Sequence, residues 1–322
     1  MKKTSFSFIL TILCFNLYAK GDISNHRYFS LFGTRSYKVF LPSSHQTNHK
    51  TPVILALHGC TQTTQDFYQS TRLNKWAERN QYAVIYPEQK YINNPSKCWN
   101  WFLPINQWRS SGELEIIMGS LESSIQEFSL DRNKVFAMGF SAGGAMTSVV
   151  ANCYSDKIKA AAIHSGVMYK ASTSMFNAMN VLNNGTKKNP LMTAKSGFIC
   201  SRKKLRPSPL PILIFQGEED TLVTKSHKHS LATQFLTLND YLDNGEFDHS
   251  LNIIKETKNL NPSNKYSYQL ETWSSNKSPV VKTYMIKNLT HAWSGGDPSY
   301  EYNDKDGPDA TKIIIDFFNS QK

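Results

Sequence analysis

Short unbroken apolar runs punctuate the chain, separated by longer stretches in which apolar residues recur at every third or fourth position. Val53-Ile54-Leu55-Ala56-Leu57 is the clearest run, of the kind found in a strand buried on both faces. Tyr82 to Tyr86, Lys134 to Gly139, Ala160 to His164 and Pro211 to Phe215 share that character. Leu114, Ile117, Leu121, Ile125 and Phe128 fall three or four apart and predict a helix over 113–128 with one apolar face. Tyr28 to Phe32 and Ser36 to Leu41 flank Gly33-Thr34, which predicts an antiparallel hairpin. Tyr266 to Trp273 and Val280 to Ile286 read as late strands, and Pro308 to Phe318 as a closing helix. Strand and helix thus alternate from residue 53 to the end, which implies an α/β architecture with a mostly parallel, doubly wound sheet behind an N-terminal antiparallel hairpin. A polar stretch over 170–208 breaks the alternation and reads as an irregular lid or flanking insertion. With no repeat or linker in view, residues 20–322 are expected to form one domain.

The first nineteen residues change the picture of where the chain goes. Lys2 and Lys3 precede an apolar stretch from Phe6 to Tyr18, and Ala19 supplies a small residue at its end. That is the build of a cleavable signal peptide over 1–19, too short for an ordinary membrane span. Cys14 follows the bulky Leu13, so lipidation is not expected. No later segment is apolar enough to cross a bilayer, and a secreted or periplasmic protein is expected. Cys60, Cys98, Cys153 and Cys200 remain, and an even number in an exported chain favours two disulfides with three possible pairings. Cys60–Cys98 with Cys153–Cys200 is the preferred one. Their spacing matches no zinc-ligand pattern, and neither metal nor cofactor is expected. The net charge of +11 comes from scattered lysines, and the short cluster Arg202 to Arg206 lacks flanking aromatics. A solvated basic surface is favoured over a nucleic-acid partner.

Candidate chemistry centres on Gly139-Phe140-Ser141-Ala142-Gly143-Gly144, directly after one predicted strand and before an Ala- and Val-rich stretch. A serine on a tight strand-to-helix turn is lifted clear of the backbone, and small residues two positions either side make that turn possible. This is the nucleophile elbow of the α/β-hydrolase fold, with Ser141 as expected nucleophile. In that fold the acid and then the histidine follow the serine. The strand Pro211 to Phe215 leads into Glu218, Glu219 and Asp220, and Asp220 is the expected acid because a short side chain suits a buried hydrogen bond. Of the later histidines, His227 and His229 sit at the start of a predicted surface helix and His249 in a polar loop. His291 follows the strand Lys282 to Ile286 in a Trp293-Ser294-Gly295-Gly296 turn, where the base belongs. His164 precedes the acid and is read as a packing residue. The amides of Ala142 and of Cys60, in His58-Gly59-Cys60-Thr61-Gln62, are the expected oxyanion donors, with His58 tying the loop down. Trp99, Trp101 and Trp293 are candidate substrate-binding residues. Core packing is an equally open reading of the aromatic segment Cys98 to Phe102.

These blocks, with His164-Ser165-Gly166, Gly217 to Val223 and Gly307-Pro308-Asp309-Ala310, resemble the poly(3-hydroxybutyrate) depolymerase family of esterases, from about residue 35 to the end. The resemblance implies the same nucleophile, acid, base and Cys60 oxyanion amide, and the α/β-hydrolase fold. It departs at Gln216, where a histidine is usual, and at Phe140, where leucine is common; neither is expected to carry chemistry. Only four residues follow Phe318, so no dedicated polymer-binding module is expected. The expected activity is hydrolysis of short-chain 3-hydroxyacyl esters, polymer or oligomer, through an acyl-serine. Feruloyl or acetyl-xylan ester hydrolysis is the alternative, since the fold does not name the substrate. A non-catalytic binding protein on a hydrolase scaffold is disfavoured because all three triad candidates are present.

Overall fold

In a computed structural model, which describes residues 21–321, the expected hairpin opens the chain as β1 (Asp22–Ser30) and β2 (Gly33–Leu41), paired antiparallel. The predicted signal peptide lies outside the described residues. The apolar runs follow as β3 (Val53–Leu57), β4 (Ala83–Pro87), β5 (Val135–Phe140), β6 (Ala160–His164) and β7 (Ile212–Gly217), every residue of each buried. Helices α1 (Thr64–Ser70), α2 (Leu73–Asn80), α3 (Gly112–Glu127) and α4 (Ala142–Cys153) fill the early connections. The first is closed at its start by a reciprocal Thr63–Asp66 capping box.

The stretch over 170–208 is not irregular. It folds as α5 (Met175–Asn184) and α6 (Pro190–Cys200). Asn189 caps α6, Pro190 stands in its first turn, and Cys200 at its end is bonded to Cys153 at the end of α4. Nor does the chain alternate to its end. After α7 (Ser226–Asn244) come β8 (Ile254–Leu260), β9 (Tyr268–Ser275) and β10 (Ser278–Ile286), then a short parallel pair, β11 (Trp293–Ser294) and β12 (Asn303–Asp304), before α8 (Ala310–Asn319). The ten-stranded sheet has the order β1-β2-β4-β3-β5-β6-β7-β10-β9-β8. Its six central strands are parallel, and antiparallel pairs extend it at both ends.

Alternate residues of β3 enter opposite cores. Val53, Leu55 and Leu57 pack with α3 and α4, while Ile54 and Ala56 pack with side chains of α1, α2 and α8. Both faces are therefore dry, which is why the strand reads as a continuous apolar run. Among the described residues no helix is long and apolar enough to cross a membrane. The carboxyl ends of β3, β5, β7 and β10 lie along one rim of this sheet, and the loops that leave them carry the candidate site.

Candidate active site

Strand β5 ends at Phe140, and Ser141 turns the chain straight into α4 with φ 55° and ψ −121°. Holding a non-glycine residue there requires neighbours of minimal size. A Cβ on Gly143 would strike the carbonyl oxygens of Leu57 and His58, and one on Gly139 the Gly143 carbonyl. The sharp turn aims the Ser141 hydroxyl outward while the first turn of α4 points its amides at the same place.

Three side chains from separate loops meet there. His291 Nε2 lies 2.9 Å from Ser141 Oγ, and His291 Nδ1 lies 2.8 Å from Asp220 Oδ2. A carboxylate accepts only, so Nδ1 carries the ring proton and Nε2 is free to accept from the hydroxyl. Asp220 Oδ1 takes the amides of Leu222 at 3.0 Å and Val223 at 2.8 Å. Its side chain is wholly buried, whereas that of His291 is 9 % exposed. Burial pushes the Asp220 carboxyl up, but hydrogen bonding and charge from His291, with the Val223 and Leu222 amides, outweigh it and hold the carboxyl below its ordinary range. The Phe140 ring stacks on the imidazole at 5.1 Å and fixes its plane.

Beside the serine runs the loop after β3. His58 is buried, accepts from the Gln89 amide at 3.0 Å through Nε2, and through Nδ1 donates to the Gly59 carbonyl at 2.7 Å. Gln62 Oε1 accepts the Gly59 amide, the Thr61 amide reaches Ser96, and Cys60 is bonded to Cys98. Glu113, paired with Arg35, accepts from Gln89 and from the Asn100 amide, so one buried network binds this loop to the Cys98–Asn100 segment. Among the described residues the amides of Cys60 and Ala142 donate to no protein acceptor. The site opens into a cavity of about 400 Å³. Trp101, Phe102, Met175, Met179, Leu182 and Leu222 supply apolar lining, and Asn94, Ser96 and Thr61 polar lining.

A family model described as Esterase PHB depolymerase matches residues 35–256. The chain belongs to that esterase family. The poly(3-hydroxyalkanoate) depolymerase C of Paucimonas lemoignei is 30 % identical over 290 residues, 88 % of this chain and 64 % of the relative. Feruloyl esterase B of Thermothelomyces thermophilus is 30 % identical over 197 residues, 58 % of this chain and 64 % of the relative. The chain thus spans somewhat under two thirds of both relatives. An acetyl xylan esterase structure from Aspergillus awamori superposes with a TM-score of 0.71 at 20 % identity, covering 92 % of this chain and 99 % of that one. The fold is the α/β-hydrolase fold.

Within this site the tryptophans separate. Trp101 lines the cavity. Trp99 does not: it is fully buried, its ring against His58 and its Nε1 donating to the His58 carbonyl at 3.1 Å. Trp293 is also buried, stacked on His164 at 4.8 Å, with Nε1 donating to Thr311 Oγ1. Both brace loops of the site from behind, because each indole N–H finds its acceptor in the interior. His164 packs as expected, and burial lowers it to about 3. His227 is not on a surface: it is buried and its Nε2 donates to the Val181 carbonyl of α5 at 2.7 Å. The α5 wall went unrecognised, although Met175, Ala178, Met179 and Leu182 keep helical spacing. Tyr302, which lines the cavity with its ring 6.1 Å from that of His291, carries no sequence mark.

Proposed function

We propose that the chain is a serine esterase that cleaves carboxylic esters through an acyl intermediate on Ser141. As Ser141 Oγ attacks the ester carbonyl, its proton passes to His291 Nε2, and Asp220 stabilises the imidazolium. The Cys60 and Ala142 amides receive the oxyanion, each donor being worth about 2.7–4 kcal/mol of barrier. The imidazolium then gives its proton to the departing alkoxide, releasing the alcohol. Water enters, loses a proton to His291 and attacks the acyl carbon. Collapse frees the acid and returns the proton to Ser141. The observation carrying this reading is the continuous chain of hydrogen bonds from the serine hydroxyl through the imidazole to a buried carboxylate, beside two unpaired amides.

For substrate we propose short-chain 3-hydroxyacyl esters of the poly(3-hydroxybutyrate) type, polymer or oligomer. Family membership, the depolymerase relative and the largely apolar cavity support it. The similarity to feruloyl esterase B supports a second reading, a carbohydrate-bound feruloyl or acetyl ester. The disulfides Cys60–Cys98 and Cys153–Cys200 support export to an oxidising compartment.

Ser141→Ala is expected to abolish release of 3-hydroxybutyrate from oligomer or amorphous polymer while leaving the fold intact; undiminished release would overturn the mechanism. Faster turnover of feruloyl or acetylated sugars than of hydroxybutyrate oligomers would transfer the assignment to the second reading.

A further inference from the structure

Gln216 is wholly buried near the end of β7, four positions before Asp220. Its side-chain nitrogen donates to Asp220 Oδ2 at 3.2 Å, to the Val223 carbonyl at 2.8 Å and to the Gly217 carbonyl at 3.4 Å. Asp220 Oδ2 is also the oxygen that accepts from His291 Nδ1. The other end of the amide, Gln216 Oε1, is buried and accepts no hydrogen bond among the described residues. Chemistry fixes which end faces the carboxylate. Exchanging oxygen and nitrogen would press a carbonyl oxygen against three acceptors. A buried amide oxygen without a protein partner is unfavourable, and the three hydrogen bonds donated by the nitrogen end offset it.

Other groups around Asp220 are committed elsewhere. The Leu222 and Val223 amides occupy Oδ1. His164 on β6 uses Nε2 to accept from the Ser294 amide, and its Nδ1 meets Ser165 Oγ. His227 on α7 donates to Val181. Burial keeps both of these imidazoles neutral. Among the described residues Gln216 and His291 are the only side chains that donate to Asp220.

Resting on the triad read above, we propose that Gln216 is a positioning residue, whose amide N–H holds the Asp220 carboxylate in line with His291 Nδ1 and shares its negative charge while the imidazolium exists. The amide touches no reacting atom; it acts through the carboxylate. Being neutral, it supports the anion without competing for the ring proton.

Gln216→Met deletes both the donor and the orphaned oxygen at nearly constant length. The melting temperature is expected to fall modestly, because the Asp220 carboxylate and the Val223 and Gly217 carbonyls lose a buried donor while the orphaned oxygen is also removed. For a p-nitrophenyl acyl ester, kcat is expected to fall about tenfold with KM within about twofold, the size expected when a carboxylate loses one donor. A carboxylate without that donor binds a proton more tightly, so the acid limb of kcat/KM against pH should move up by about half a unit or more. A purely structural stitch between β7 and Val223 predicts the lowered melting temperature alone, with kcat and the acid limb unmoved, and that result overturns the proposal. Should Gln216→Met fail to fold, Gln216→Glu carries the test. A protonated carboxyl can donate to Asp220 as the amide does, whereas an ionised one repels it. Activity relative to the parent is then expected to decline as pH rises, and a constant ratio across pH overturns the proposal. Ser141→Ala assayed alongside separates the two levels: turnover surviving there sinks the triad itself, whatever Gln216 does.

Discussion

At Ser141 the strained backbone, the hydroxyl and the first α4 amides depend on atoms that are missing from their neighbours. Gly143 has no side chain because two carbonyls, from Leu57 and His58, occupy the space where one would project. Gly143→Ala must push α4 away from the loop after β3, separating the two candidate oxyanion donors. Overpacking of this kind costs about 1–3 kcal/mol, so the melting temperature should fall. The kcat of the folded variant should fall at least about tenfold, because oxyanion stabilisation depends on donor placement. Unchanged kcat in a folded Gly143→Ala protein would show that the loop and helix are not jointly registered. The same crowding explains why this part of the site could be read in advance. A glycine demanded by sterics leaves a mark in the sequence, and the serine between two of them stands out. Asp220 and His291 were legible because each follows a predicted strand in the order the elbow implies. Gln216 is expected from the sequence to carry no chemistry, and its contact with Asp220 emerges only in the folded chain, where β7 and the loop after it bring the amide and the carboxylate together.

Elements differed in legibility according to how many of their faces are dry. The central strands, buried on both faces, declared themselves as apolar runs. Strand β8 did not: six of its seven residues are exposed, so it carries no alternation and is held by pairing with β9. Helix α5 lies between these cases. Its apolar face keeps helical spacing, but Asn177, Asn180, Asn183 and Asn184, with the lysines that follow, make the surrounding stretch look like a loop. That face forms one wall of the cavity, and Met175 and Met179 are 59 % and 61 % exposed there. Replacing both, as Met175→Ser/Met179→Ser, removes little interior packing and should change stability by no more than about 0.5 kcal/mol for each residue. Contact with a longer acyl chain should suffer, since each buried methylene is worth about 0.8 kcal/mol. The expected outcome is a kcat/KM for p-nitrophenyl butyrate lowered about fivefold or more, with the acetate ester within about twofold. Equal loss on both esters would mean that the α5 wall does not meet the acyl chain.

Across the whole molecule, the two dry faces of the sheet enclose imidazoles as well as hydrocarbon. His58, His164 and His227 are fully buried, on the loop after β3, on β6 and on α7. Each links segments of the site through its ring: His58 to the Gln89 amide, His164 to the Ser294 amide, His227 to the Val181 carbonyl. The sequence assigns His58 to its loop and His164 to packing, whereas His227 is expected on a surface helix and is buried instead, since burial of a lone polar residue is decided by long-range packing. Burial lowers all three below the ordinary histidine value of 6.5, His164 to about 3. In the unfolded chain each would take up a proton near its ordinary value, while the folded protein refuses it until lower pH. The unfolded state therefore binds more protons in that interval, and stability is fully present above about pH 6.5 and lost progressively on acidification. Asp220 adds to the loss only further down, as pH falls below the ordinary carboxylate range toward its depressed value. Urea unfolding at pH 7.5, 6, 5 and 4 should accordingly give a free energy that declines steadily, by up to about one proton's linkage for each buried imidazole. His164→Gln should start lower at pH 7.5, because stacking on Trp293 and Phe215 is lost, yet decline less steeply. A stability profile flat from pH 7.5 to 5 would mean that these rings accept protons inside the fold, and that the loops they brace are open to water.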